Sequence, residues 1–538
     1  MANIEFFTVS SLEKVLLDKK PVLLQDSYTK LKDEKFNFQV VMSADEPIQY
    51  VNFTFESDIS KDITIKMVEN VPVQLGCYAD CDDYILSDKS GVYPDILRDF
   101  EPRDVALRAK KWIACMVSVN SHKVGNHTID FSLTNDDGEI IARCSYSLEI
   151  LPEKLGDYDL IYTNWMHYDC IADLHHAKVF SKRFYKITEK YIKSAVEHGM
   201  TMLLTPLFTP ALDTYIGGER PTVQLVDVYL ENGKYSFDFS RVDDFIQRAF
   251  SLGIKYIEFS HLFSQWGAEF APKIMAYVNG RYKRIFGWET KSVSDEYIQF
   301  IDAFLPALLN HIEEKGIKDK CYFHLSDEPH ESHLDTYMKL YRVMKKHLGN
   351  SRTIDALSTV DFYLKGTVDI PVVHIDYTKP FEEHNIEYWT YYCCSSANYH
   401  ANRYITMPSL RNRILGTQLY LMNVKGFLHW GFNFYYSQLS RCKINPYLIT
   451  DAGGAFPAGD AFIVYPGEND NVVESLRHEV LFDGFQDYMA LKRLEEKKGR
   501  EFVVDFIKKQ GVVDFNTYPH DDLWFINYRQ ELSRLIND

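Results

Sequence analysis

The chain has 538 residues, 46% of them hydrophobic and 25% charged, with a formal net charge of −17 at pH 7. That composition excludes a disordered or fibrous chain, and at roughly 150 residues per domain, with a single barrel able to absorb about 250 or more, it fits two to four domains. The acidic balance also argues against nucleic acid as a partner, because phosphate backbones are held by Lys and Arg clusters.

The first twenty residues, MANIEFFTVSSLEKVLLDKK, lack a positive segment followed by a long apolar run. No window approaches about 18 consecutive apolar residues, so neither a secretion signal nor a membrane span is expected. Cysteines stand at 77, 81, 115, 144, 170, 321, 393, 394 and 442. An odd, unpatterned set reads as reduced thiols, and with the N-terminus it predicts a cytoplasmic protein. Cys77 and Cys81 are spaced like metal ligands, but no second Cys or His pair follows at zinc spacing, so no metal is expected there.

Residues 1–152 alternate at period two between turn signals, as in FNFQVVM, QYVNFTF, ITIKMV, KWIACMVSV, HTIDFSL and IIARCSYSLEI. The last two are joined by TNDDGE, whose Asp-Gly is a hairpin signal. Short strands without helical stretches predict an antiparallel β-sandwich domain ending at Leu151-Pro152.

Over 153–538 the rhythm becomes strand, loop, helix. Apolar strand candidates are 159–165, 201–206, 255–260, 321–326, 353–357, 372–376, 387–393 and 426–432. Helical patterns lie between most of them, for instance 241–253 and 294–316, each closed by a glycine at the C-cap. This alternation predicts an α/β fold, a (β/α)8 TIM barrel, with a charged helical extension beyond Gly484. Neither a G-x-G-x-x-G nor a Walker pattern occurs, so no nucleotide cofactor is expected.

In such a barrel chemistry sits at the C-terminal strand ends. The fourth candidate ends HLSDEPH, which sets Asp327 and Glu328 side by side, followed by Pro329. Two carboxylates this close push their pKa values apart, giving one acid and one anion at neutral pH. The same residues also suit the first turn of a helix. The seventh candidate, EYWTYYCCSS, has Glu387 at its start and no acid at its end, so a second protein carboxylate is not expected there as a nucleophile. A substrate 2-acetamido carbonyl is an alternative nucleophile. Asp376 and Glu258, near the ends of the sixth and third candidates, are the competing acids.

The pattern LSDEPH and the later SLRHEVLFDGFQDYMAL (475–491) resemble glycoside hydrolase family 123 and its wider group, the domain of unknown function 4091. Further similarity lies in GVYPDILRDFEPRDVALRAKKWIACMVSV (91–119), GFLHWGF (426–432) and GDAFIVYPG (459–467). The resemblance spans about 90–490. It implies a β-sandwich, a (β/α)8 barrel and exo-acting β-N-acetylgalactosaminidase activity, retaining and assisted by the substrate acetamido group. Carried to matching positions, it makes Asp327 the stabiliser of the oxazoline intermediate and Glu328 the general acid/base. The implied partner is an oligosaccharide or glycoconjugate with a terminal N-acetylhexosamine.

Aromatic residues at strand ends are natural walls for a sugar face and an acetamido methyl: Trp165, Trp266, Trp389, Tyr391, Tyr392 and Trp430. Alternation puts Trp389 and Tyr391 on one side of the seventh strand and Tyr392 on the other; Tyr392 is preferred as the acetamido donor for its place near the mouth. Asn164, His261 and Asn433 are candidate hydroxyl partners, with Asp376 as a further substrate-binding acid. His330 and His333 flank the acids, but no third ligand follows, so no metal is expected. Arg477, Glu479 and Asp483 read as a structural ion-pair network, and 451–460 as a mobile Gly-rich loop near the mouth. The expected activity is a metal-independent glycosidase. The rival readings are a glycosidase for another sugar, using Asp376 or Glu258 with Glu328, and a non-catalytic carbohydrate-binding protein.

Overall fold

The alternating N-terminal residues build two sheets in the computed structural model, which describes residues 2–102 and 105–538. Positions 103 and 104 of the 91–119 stretch therefore lie outside the described residues. A five-stranded sheet runs Ser27–Lys30, Ile140–Ile150, Gly125–Thr134, Ile48–Glu56, Val105–Leu107, antiparallel except for its first pair. The other sheet runs Ile4–Ser10, Phe36–Ala44, Ile113–Val119, Ile63–Val73, Gly91–Asp99 and then two strands from far along the chain, Val472–Ser475 and Tyr465–Pro466. The two sheets meet through aromatic side chains. Phe38 stacks on Tyr146 at 4.1 Å and meets Phe131 edge-on at 6.0 Å, while Phe6 packs on Phe53 at 6.1 Å. At the Asp-Gly turn the Asn135 N–H donates to the Glu139 carbonyl at 2.9 Å, with Gly138 at φ 78°.

All eight predicted barrel strands form. They are β1 (Ile161–Asn164), β2 (Met202–Thr205), β3 (Tyr256–Phe259), β4 (Cys321–Phe323), β5 (Arg352–Leu357), β6 (Ile370–His374), β7 (Trp389–Tyr391) and β8 (Gly426–His429). They pair in parallel in the order β1-β8-β7-β6-β5-β4-β3-β2. The ring is nearly closed: Thr201, just before β2, donates its N–H to the Tyr162 carbonyl at 3.0 Å, and its hydroxyl accepts the Tyr162 N–H at 2.9 Å. At least one helix separates each pair of successive strands.

Period two sorts these strands cleanly. Met202, Leu204, Tyr322, Ile354, Ala356, Val372, Trp389, Tyr391 and Leu428 cluster with Trp165 inside the ring. Tyr162, Leu203, Ile257, Phe323, Val373 and Phe427 face the surrounding helices. Burying side chains of this size contributes about 1.5–3 kcal/mol each, which fixes the register because a one-residue slip would exchange the two sets.

One element was not anticipated: a four-stranded sheet of two hairpins, Asp227–Glu231 with Lys234–Asp238 and Ile274–Val278 with Arg281–Phe286. Both turn on Asn-Gly, with Asn232 and Gly233 at φ 49° and 76° and Asn279 and Gly280 at 47° and 78°, as a type I′ turn demands. Tyr235, Phe237 and Phe286 pack on Phe300 of helix Asp295–Glu314.

The long helix Leu476–Lys498 joins the two regions. Arg477 donates two bonds to Asp95 at 2.7 and 2.9 Å, Glu479 pairs with Lys35 at 2.5 Å, and Asp487 receives Arg413 and Arg529, each at 2.8 Å. Among the described residues no helix is long and apolar enough to cross a membrane.

Candidate active site

β4 ends at Phe323, and the five residues after it carry the chain across the barrel mouth. Ser326 donates its hydroxyl to the Ser264 carbonyl at 2.7 Å, and the Asp327 carbonyl accepts the Trp266 N–H at 2.8 Å, so the loop after β3 holds this segment in place. Glu328 adopts a left-handed conformation, φ 41°. A non-glycine residue there costs roughly 1–3 kcal/mol, which the neighbouring contacts must offset. The turn brings both acids to one cavity of about 140 Å³, although an unbroken strand would point them to opposite sides.

The Tyr391 hydroxyl donates to Glu328 Oε1 at 2.5 Å. The end of β7 thus meets Glu328 with a donor and not with a carboxylate. Burial in the cavity, and after it the charge of Glu328, raises the Asp327 carboxyl well above the ordinary carboxylate range. Two carboxyl groups on one cavity wall are the residue types needed for acid–base work on a bound substrate.

Below the acids lies a buried polar layer. Glu258 accepts the Thr163 hydroxyl at 2.5 Å and the Trp165 indole N–H at 2.8 Å, and it pairs with His324 at 2.5 Å. His324 also meets Asp355 at 3.0 Å. Burial alone would lower the His324 pKa, but the bonds to Asp355 and Glu258 overcome it and raise the value to about 9. An imidazolium between two carboxylates fixes the floor, and Trp165, tied to Glu258, is one of its walls. Glu258 is fully buried with both oxygens engaged, so the reading that makes it a reacting acid is corrected.

Trp165, Trp266, Asp327, Glu328, Tyr391 and Trp430 line the same cavity, as the sequence suggested. Six other candidates lie outside its lining, among them Trp389, which is buried inside the ring against Tyr322 at 5.4 Å. Tyr392 points the opposite way from Tyr391, packs against Phe427 and His429 in the outer layer, and its hydroxyl has no hydrogen-bond partner among the described residues; the preference for Tyr392 over Tyr391 is corrected. Asn433 accepts the His167 N–H at 2.8 Å and donates to the His167 carbonyl at 3.1 Å, so it clamps backbone. Asn164 is buried and donates to the Tyr162 hydroxyl at 3.2 Å. His261 stands behind Trp165, edge-on at 5.1 Å, and stacks on His324 at 4.1 Å. Asp376 pairs with His400 at 2.9 Å; burial works against its ionisation, but that bond and charge outweigh it and hold the carboxyl below the usual range.

His330 and His333 are likewise spent on structure. They cap the turn at Glu331–His333, with His330 Nδ1 accepting the Ser332 N–H and His333 Nδ1 the His330 N–H, each at 3.3 Å. Two buried groups elsewhere have metal-like spacing, His261 with His324 and Asp355, and His198 with Glu474 and His478. Within them His324 pairs with Asp355 at 3.0 Å and His478 with Glu474 at 2.7 Å, whereas neither ring nitrogen of His261 has a hydrogen-bond partner among the described residues.

The sequence reading missed Asp213, Gln265, Cys393, Cys394, Gln438 and Phe456, all of which line the cavity. Burial raises the Asp213 carboxyl to about 6. Asp460, just behind, accepts the Trp430 indole N–H at 2.9 Å, and burial pushes it up to about 7. These residues sit on loops with no periodicity to betray them. The segment 451–460, read as mobile, is pinned to the N-terminal sheets. Asp451 accepts the Leu75 N–H at 3.1 Å, and the Ala455 carbonyl accepts the Tyr78 hydroxyl at 2.7 Å.

The model of the glycoside hydrolase 123 catalytic domain matches residues 165–494. Among solved structures, a family 123 glycoside hydrolase from Clostridium perfringens superposes with a TM-score of 0.74 at 16% identity, covering 99% of this chain and 98% of that one. A β-D-glucuronidase from Dictyoglomus thermophilum scores 0.34 at 8% identity, with 89% and 69% covered. A β-galacturonidase from Eisenbergiella tayi scores 0.31 at 10%, with 90% and 72% covered. No curated protein matches the chain. With a family model over more than half of its length, the chain belongs to glycoside hydrolase family 123.

Proposed function

We propose that this glycoside hydrolase releases terminal β-linked N-acetylgalactosamine with retention of configuration, the substrate's own 2-acetamido oxygen acting as nucleophile. The observation that carries the reading is the adjacent Asp327–Glu328 pair, met at β7 by a tyrosine hydroxyl at 2.5 Å and by no carboxylate. This reading gives Glu328 the leaving oxygen and gives the attack to the acetamido carbonyl, which is within reach of the anomeric carbon in the substrate itself.

In this reading Glu328 protonates the leaving oxygen and then deprotonates water. Asp327, whose burial disfavours the anion in the empty cavity, gives its proton to Glu328 as the acetamido N–H docks on it, and the resulting carboxylate stabilises the oxazolinium cation as it forms. Trp165 and Trp430 wall the acetamido group and sugar face, and Tyr391 holds Glu328, within a TIM-type (β/α)8 barrel. The Clostridium perfringens relative was studied for glycolipid glycan hydrolysis, which suits a substrate presenting an exposed terminal sugar.

Hydrolysis of 4-nitrophenyl glycosides with and without the 2-acetamido group tests the mechanism, with product anomers followed by proton NMR. The β-anomer is expected first, from acetamido substrates alone, with inhibition by a thiazoline mimic of the oxazoline. Glu328→Gln should abolish turnover of substrates with poor leaving groups, and Asp327→Asn should depress all of them by about a hundredfold or more. Turnover of a sugar lacking the acetamido group, or an Asp327→Asn enzyme as active as wild type, would overturn the reading.

A further inference from the structure

Just past β7 the chain carries two adjacent cysteines, Cys393 and Cys394, which the mechanism above leaves unused. Neighbours on an unbroken strand would point to opposite sides, but the chain turns here: the Ser396 N–H donates to the Cys393 carbonyl at 3.1 Å. The Asn402 amide and the Tyr404 hydroxyl donate to the same carbonyl at 3.0 and 3.1 Å, so the turn is held in place. Both cysteines line the cavity of Asp327 and Glu328, and their thiols meet each other. Elsewhere Cys115, Cys170 and Cys321 are buried, while Cys77 and Cys81 touch on an N-terminal loop outside the cavity lining.

Cys393 Sγ lies 3.6 Å from His374 Nε2 and 3.3 Å from the Ser395 hydroxyl, and it packs on the cluster that contains Leu428. Cys394 meets the Tyr78 hydroxyl and packs on the cluster that contains Phe456. The contact with Cys394, and after it burial, raises the Cys393 thiol well above its ordinary range, so taken singly it is a poor nucleophile.

Nor does the pair suit closure on itself. Adjacent Cα atoms stand about 3.8 Å apart across a trans peptide, short of the roughly 4.4 Å at which ordinary disulfides begin. What two touching thiols offer instead is chelation of a soft, thiophilic centre. A trivalent arsenic atom, with its two longer bonds to sulfur, bridges them without bending the backbone. Once the first bond has formed, the second sulfur is already in place.

We propose that Cys393 and Cys394 form a dithiol site that captures an organic trivalent arsenical inside the active-site cavity. With an aryl arsenoxide, two S–H bonds and the arsenic–oxygen bond break, two As–S bonds form, and both protons leave with the oxygen as one water. Arsenic stays trivalent and neither sulfur changes oxidation state, so no oxidant or reductant takes part. The aryl ring then fills the cavity of about 140 Å³ among Leu428, Trp430 and Phe456. Turnover stops without any reaction at Asp327 or Glu328.

Phenylarsine oxide added to the full-length protein tests this. Intact-mass spectrometry should show one arsenical per chain, and turnover of an aryl N-acetylgalactosaminide should fall in step with the adduct. The dithiol 2,3-dimercaptopropanol should release the arsenical, and 2-mercaptoethanol at the same thiol concentration should not. Cys394→Ser should weaken capture by about a hundredfold or more, because the second bond is lost. Cys81→Ser, which breaks the other touching pair, should capture as wild type does. No adduct on the wild type, an adduct retained by Cys394→Ser, an adduct lost from Cys81→Ser, or capture with turnover undiminished would each overturn the site. Capture is read by mass, so absence of activity on the aryl sugar would overturn the glycosidase reading and leave the dithiol site standing.

Discussion

At the acid pair, one hydrogen bond sets where the Glu328 carboxyl stands at the barrel mouth. The Tyr391 hydroxyl orients Glu328, and a bond to a charged acceptor contributes about 1.5–3 kcal/mol. Tyr391→Phe should therefore lower kcat by roughly tenfold to a hundredfold with little change in KM. Steady-state kinetics on an aryl N-acetylgalactosaminide check this, and an equal rise in KM would show that Tyr391 binds substrate instead. The choice between Tyr391 and Tyr392 also marks where sequence stops. Alternation says that the two face opposite ways; which one faces the axis depends on strands β6 and β8 on either side, which no local pattern reports. Glu258 makes the same point. Its acidity is visible in the sequence, but its three partners come from β1, the residue following it and the segment after β4.

Among the secondary-structure elements, the apolar strands were the most legible, because each is bounded by turn signals and buried on both faces. The four-stranded sheet escaped although both of its Asn-Gly turns were in view, since its last strand carries the exposed charges Arg281, Lys283 and Arg284 with no alternation of polar and apolar residues. The match at 475–491 was legible as a motif but not as geometry. Its glycine, Gly484, lies against the helix that contains Gly416, and a Cβ added to Gly416 would stand 1.7 Å from the Gly484 carbonyl oxygen. Neither backbone can give way without shifting a helix. Gly416→Ala should cost at least about 2 kcal/mol and lower the midpoint in urea, and an unchanged midpoint would show that the helices slide freely.

Across the whole molecule, the N-terminal sheets and the barrel are less separable than a boundary at 152 suggests. Residues 472–475 add a strand to the N-terminal sheet, with Glu474 opposite Leu97 and Ser475 opposite Ile96. The helix that follows buries Arg477 on Asp95. Removing one partner of such a buried pair costs about 3–5 kcal/mol, so neither region keeps its contacts without the other. Scanning calorimetry of the full chain should give one unfolding transition, and two resolved transitions would refute the coupling. The connecting segment follows suit: the Gly156 N–H donates to the Met489 carbonyl at 3.0 Å, and a Cβ at Gly156 would lie 2.5 Å from the Arg493 nitrogen. A linker packed that tightly is not a hinge. Glycan and product then pass the mouth without any hinge between the two halves of the chain, so that exchange at the active site is decoupled from motion between them.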